Sequence, residues 1–127
     1  MAGHPQLRPV FFNVLQIAMP VGALTSIAHR ISGVLLAASL PAAVYLLDQS
    51  LQSEASFAAV TLWLDHSAVK VILVGWVWAL SHHLLAGIRH LLMDIDVGAL
   101  LRVARLSAWA VNVAAISFAL WALVLLW

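Results

Sequence analysis

The chain reads as an all-α membrane protein with three transmembrane helices, and three observations predict it. Of its 127 residues, 65% are hydrophobic and 9% charged, with a mean hydropathy of +1.05, a composition outside the range of water-soluble domains. Three stretches each offer the roughly 20 mostly apolar residues that a bilayer crossing needs. The ionisable residues inside those stretches are not scattered; they gather in two short clusters, "SIAHRISG" (Ser26 to Gly33) and "SHHLLAGIRHLLMD" (Ser81 to Asp94).

The first span is expected at about residues 21–47, opening after Pro20 and bending without breaking at Pro41, since helix-breaking residues are tolerated where neighbours re-satisfy the backbone. Asp48, Glu54 and Asp65 mark the connection that follows, and "FAAVTLWL" within it reads as a short interfacial helix. The second span is expected at about residues 69–93 and the third at about 104–127, where Ser107, Asn112 and Ser117 are the polar interruptions. All 127 residues are taken as one transmembrane domain. Residues 1–20 lack the basic, apolar and small-residue regions of a secretory signal, so the spans are expected in the mature chain. Arg8, Arg30, Arg89, Arg102 and Arg105 fall on one side against Lys70 on the other, which places the N-terminus in the cytoplasm and, with three spans, the C-terminus outside. That topology sets both clusters at one depth near the cytoplasmic face.

Composition also excludes much. A net charge of +1 without a basic block offers nothing to nucleic acid. The absence of cysteine removes disulfides, thiolate chemistry, Cys-ligated metal centres and covalent haem attachment. Metal chemistry is left to histidine, to carboxylates or to another subunit.

Charged and imidazole groups at membrane depth cost roughly 2.5 to 3.5 kcal/mol each on insertion scales, so they pair, line a cavity or bind something. At 100° per residue, His83, Gly87, His90 and Asp94 form one stripe along the second span, with the two histidines roughly 10.5 Å apart in rise. A flat cofactor on this face could take a bond from His83 and meet Arg89 and His90 at its cytoplasmic edge, with Gly87 allowing close approach. Haem b has that anatomy: an iron that accepts imidazole, and anionic propionates that favour a basic, wetter edge. On the first span Ser26 and Arg30 are one turn apart, with His29 beside them and Gly33 continuing the small face. Each residue also has a plainer reading: interfacial histidines bonded to headgroups, snorkelling arginines, and glycines that serve helix packing. Two segments placing His-Arg pairs at one depth are harder to explain that way. His4 and His66 are expected to be exposed, and the six tryptophans and Met93 read as lipid-facing or core.

Arg8 and Pro9, then "SIAHRISG", then "HLLAGIRHLLMD" resemble the cytochrome b large membrane-anchor subunit of succinate dehydrogenase, over nearly the whole chain. The resemblance implies half of a heterodimeric, haem-binding helical bundle in a bacterial inner membrane. Its implied partners are a small membrane-anchor subunit, an iron-sulfur subunit and an FAD flavoprotein that oxidises succinate. It implies haem b, with His83 as one axial ligand and the small anchor supplying the other, and ubiquinone as electron acceptor. Ser26 and Arg30 match quinone-contacting positions; His29, Arg30 and His90 lie where propionates are met. Gly33, Gly87 and Asp94 are structural, with Asp94 expected as a partner of Arg89 or His90. The motif needs one histidine where this chain has two; His82 faces about 100° from His83 and is the runner-up ligand. A fumarate reductase anchor running the reverse reaction, or an anchor without haem, are the alternative readings. A proton-conducting membrane protein is disfavoured because "VILVGWVWAL" offers no polar path.

Overall fold

The computed structural model describes residues 18–127, so His4, Arg8, Pro9 and the cytoplasmic N-terminus expected above lie outside the described residues. Four helices follow in order: α1 (Val21–Gln52), α2 (Glu54–Leu64), α3 (Ser67–Asp94) and α4 (Leu101–Leu126). Helices α1, α3 and α4 are long and apolar enough to cross a membrane; α2 is the short apolar helix expected between the first two.

Helix α1 passes through Pro41 and runs five residues beyond the expected end at 47. The polar residues that seemed to end it keep it helical: Gln52 Nε2 donates to Asp48 Oδ2 at 2.9 Å, and Ser50 Oγ to the Leu47 carbonyl at 2.7 Å. The chain turns at Ser53, whose extended backbone (φ −164°, ψ 164°) stops α1, and whose hydroxyl accepts from Ser56 N–H while Ser56 Oγ accepts from Ser53 N–H. That reciprocal cap satisfies orphan donors at the start of α2.

Helix α3 ends in a Schellman motif, with Val97 N–H bonded to the Leu92 carbonyl at 2.9 Å and Asp96 N–H to that of Met93 at 3.1 Å. Asp96 takes the left-handed position (φ 61°), which a short polar side chain tolerates, and Gly98 (φ 78°) completes the turn. Helix α4 then starts at Leu101, three residues ahead of expectation, with Arg102 and Arg105 in its first turns.

The core is made of small residues. Ala79 and Ala86 of α3 and Ala108, Val111, Ala115 and Ala122 of α4 are buried, whereas most leucines, isoleucines and tryptophans lie on the outside. This follows from lipid as solvent: apolar bulk gains little by burial there, while small side chains let helices approach and pack.

Polar bonds fix how α3 and α4 face each other. His82 and Arg89, seven residues apart on one face of α3, are both buried. His82 Nε2 lies 3.0 Å from Asn112 Oδ1; Arg89 donates from Nε to Ser107 Oγ and from Nη2 to the Ala104 carbonyl, each at 3.0 Å. Partner numbers fall on α4 as they rise on α3, so the helices are antiparallel and held in register at two levels.

In the first turns of α3, Lys70 Nζ sits 2.7 Å from Oδ1 of Asp65, which precedes the span, and holds that carboxyl below the usual carboxylate range. A lowered folded-state pKa contributes stability that is fully present above the ordinary carboxylate range and is lost as pH falls through the lowered value. Asp65 is exposed, so solvent screening keeps the contribution small. Asp65→Asn is expected to leave the thermal midpoint at neutral pH unchanged.

Ser107→Ala should do more, because it strips the acceptor from a buried guanidinium N–H, at about 1 to 3 kcal/mol. Ser117→Ala is the control, since that exposed hydroxyl only folds back onto the Val113 carbonyl. Thermal midpoints of the two variants in detergent should separate clearly; equal midpoints would refute the Arg89 assignment.

Candidate functional site

Where α1 and α3 meet, three imidazoles line up. His29 and His83 stack with ring centroids 4.2 Å apart and planes within 9°, and His90 is tilted against His29 at 5.3 Å. All three are half-buried. Their backbones sit close because both helices present glycine there: a Cβ on Gly33 would stand 2.8 Å from His83 Cε1, and one on Gly87 would stand 3.5 Å from His29 Nε2. The stripe of His83, Gly87 and His90 therefore faces the cluster of α1, as their spacing predicts.

His83 Nδ1 lies 3.0 Å from the His29 carbonyl, which can only accept, so Nδ1 carries a proton and the neutral tautomer keeps its lone pair on Nε2. Ser32, fully buried, donates to that carbonyl at 2.9 Å and stands 3.4 Å from His83 Nδ1. A ring whose Nδ1–H is held by a carbonyl is in the form that metal-ligating histidines use. At the other end of the row, His90 Nε2 is 3.4 Å from Ser26 Oγ.

His82 is bonded in the opposite sense. Thr25 Oγ1 donates to the Val21 carbonyl at 2.9 Å and so accepts from Asn112 Nδ2, also at 2.9 Å; Asn112 Oδ1 then accepts from His82 Nε2–H. Nε2 is consumed inside the protein, and Nδ1 is buried without a partner among the described residues. The doublet is divided between two tautomers.

Two expected partners are placed elsewhere. Arg89 was expected at the edge of the His83 stripe, yet it sits seven residues from His82 and so turns its guanidinium toward α4. Asp94 was expected to pair with Arg89 or His90; it is the exposed last residue of α3, and among the described residues the ion pair found is Lys70–Asp65. Arg30 is exposed beside the row, along a shallow groove with Ile31, Val34 and Leu35. Thr25, Ser32 and Asn112 were not foreseen as functional. Asn112 carried a signal, being an amide within an otherwise apolar span, where polar side chains are rarely idle.

The imidazoles stack ring on ring rather than converging, and among the described residues no three His, Cys, Asp or Glu side chains could hold a bare metal ion. An imidazole nitrogen that keeps its lone pair, on a half-buried ring seated against Gly33, suits a flat metal-bearing group that brings its own equatorial ligands. A concavity of about 530 Å³ between α1 and α2 is lined by residues such as Tyr45, Leu46, Val60 and Trp63 and by no imidazole.

Three apolar spans around a histidine-lined seam define a polytopic membrane subunit. The model of the succinate dehydrogenase/fumarate reductase transmembrane subunit family matches residues 5–124, and the chain belongs to that family. It is 36% identical over 107 residues to the succinate dehydrogenase cytochrome b556 subunit of Coxiella burnetii (strain RSA 493 / Nine Mile phase I), covering 84% of this chain and 86% of that one. It is 37% identical over 92 residues to the subunit of the same name from Paracoccus denitrificans, covering 72% and 70%.

Adding a methyl group at Gly33 should force the His83 ring aside and cost about 1 to 3 kcal/mol, the usual range for overpacking. Gly75, with nothing within 4 Å of a Cβ, should accept alanine freely. Comparing thermal midpoints of Gly33→Ala and Gly75→Ala in the purified complex checks this; a stable Gly33→Ala variant would mean that the ring is not seated on α1.

Proposed function

We propose that this chain is the large membrane anchor of a succinate:quinone oxidoreductase, holding one side of a haem b and part of a quinone site. The observation that carries it is the free Nε2 of His83, fixed by the Nδ1–H bond to the His29 carbonyl. The names of both relatives, cytochrome b556 subunits, support a b-type haem. Both are also named for succinate dehydrogenase, which favours succinate oxidation over fumarate reduction.

The haem, when bound, takes up and gives up single electrons at its iron. His83 would hold it through Nε2, and a small anchor subunit would supply the other protein ligand. His29, His90 and Arg30 hold the propionates by charge and hydrogen bonds, and Gly33 and Gly87 keep the ring face clear. Arg89 contributes its charge from behind, through the position it gives α3. Ser26 donates a hydrogen bond to a ubiquinone carbonyl oxygen, and Arg30 stabilises the negative charge that develops there on reduction. Electrons come from an iron-sulfur subunit docked on the cytoplasmic face, fed by an FAD flavoprotein, in a bacterial inner membrane. Cofactors carry the electrons; this chain supplies position and field.

Reduced-minus-oxidised spectra of the complex purified with its partners test the reading. His83→Leu should abolish the b-type bands and His82→Leu should retain them; the reverse pattern would overturn it. Ser26→Ala should weaken quinone reduction by about 1 to 3 kcal/mol, leaving succinate oxidation with an artificial acceptor and the haem content unchanged. Unaltered quinone reduction and unaltered quinone-site inhibitor binding would remove Ser26 from the site.

A further inference from the structure

We propose that His82, Asn112 and Thr25 form a one-way hydrogen-bond clasp across α3, α4 and α1 that sets the rotation of α3 and thereby aims His83; His82 is a positioning residue. The inference rests on the haem-ligand role proposed for His83.

Burial comes first. His82 is 1% exposed and Thr25 fully buried, so neither has access to a competing solvent partner. Direction comes next. His82 Nε2–H donates to Asn112 Oδ1 at 3.0 Å, Asn112 Nδ2 to Thr25 Oγ1 at 2.9 Å, and Thr25 Oγ1 to the Val21 carbonyl at 2.9 Å. Each donor has one acceptor and the chain ends on backbone, so every proton position is dictated by the next. Two of the bonds join the three spans, and the third returns to the backbone of α1.

The geometry then transmits. His83 is the next residue, 100° around the same helix, so the face that carries His82 against Asn112 leaves His83 against His29 and Gly33. A helix free to roll would move both histidines together. Alanines flank the clasp on α3, with Ala79 and Ala86 buried on the His82 face; such small side chains fix distance but resist rolling weakly, and the polar bonds supply that resistance. Inside a bilayer no water replaces a broken link.

The assembled complex carries the test. His82→Leu cuts the α3–α4 link, Thr25→Val the α4–α1 link and Asn112→Leu both, and all three variants keep the His83 side chain. Each should retain haem, yet shift its midpoint potential and the highest g value of the oxidised haem, which reports the angle between the axial imidazole planes. Thermal haem loss should quicken by about threefold to about eighteenfold, the span of measured interhelical hydrogen bonds in membranes. The His82→Leu/Asn112→Leu pair should be non-additive. His82→Gln, which restores an N–H near the Nε2 position, should return the wild-type signature, and His82→Asn, which puts it near Nδ1, should not. If His82→Leu does not assemble, recovery by Gln and not by Asn supports the clasp, while failure of Gln to recover it counts against it. Wild-type potential and g values in Thr25→Val and Asn112→Leu would overturn the clasp while leaving the ligand assignment intact. Absence of a b-type spectrum from the wild-type complex would instead overturn the reading on which it rests.

Discussion

A polar atom within a bilayer has no water to fall back on, and the arrangement of this chain follows from that constraint. The apolar surface of the three spans gains little by being buried, since lipid receives it as readily as protein does. Side chains with hydrogen-bonding groups therefore decide which face of each helix turns inward. Arg89 finds Ser107 and a backbone carbonyl, His82 finds Asn112, and His83 finds the carbonyl of His29. Alanines and glycines between these points let the helices come close enough for the bonds to form.

The same constraint explains why adjacent histidines behave differently. A neutral imidazole donates from one nitrogen and accepts at the other. The partner offered by the neighbouring helix selects the tautomer: an acceptor amide oxygen for Nε2 of one, an acceptor carbonyl for Nδ1 of the other. Ligand capacity is thus a property of the packing and not of the residue type. A sequence motif can name a histidine, but the seam between two helices determines which nitrogen remains free.

Much of the architecture was legible because it follows from local chemistry. Hydropathy over about 20 residues locates a span whatever its partners are, and the 100° period puts His83, Gly87 and His90 on one stripe. Less was legible where the outcome depends on what a neighbouring helix presents. Arg89 looks equally suited to the stripe and to the core, and only the position of Ser107 and Ala104 settles it. Asp48 and Gln52 looked like the start of a loop, although an i, i+4 pair between them continues the helix. Thr25 and Ser32 are ordinary small residues in sequence; their part emerges from complete burial beside an amide and an imidazole on other helices.

The turn that joins α3 to α4 also bears on how the chain enters a membrane. Six residues, Ile95 to Leu100, separate the helices, and the turn is closed by backbone bonds of its own. An arginine carried into the bilayer on a lone helix costs roughly 2.5 to 3.5 kcal/mol on insertion scales. In the α3–α4 hairpin Arg89 is bonded to Ser107 and to the Ala104 carbonyl, so the tight turn keeps the span that carries the charge beside the span that supplies its partners.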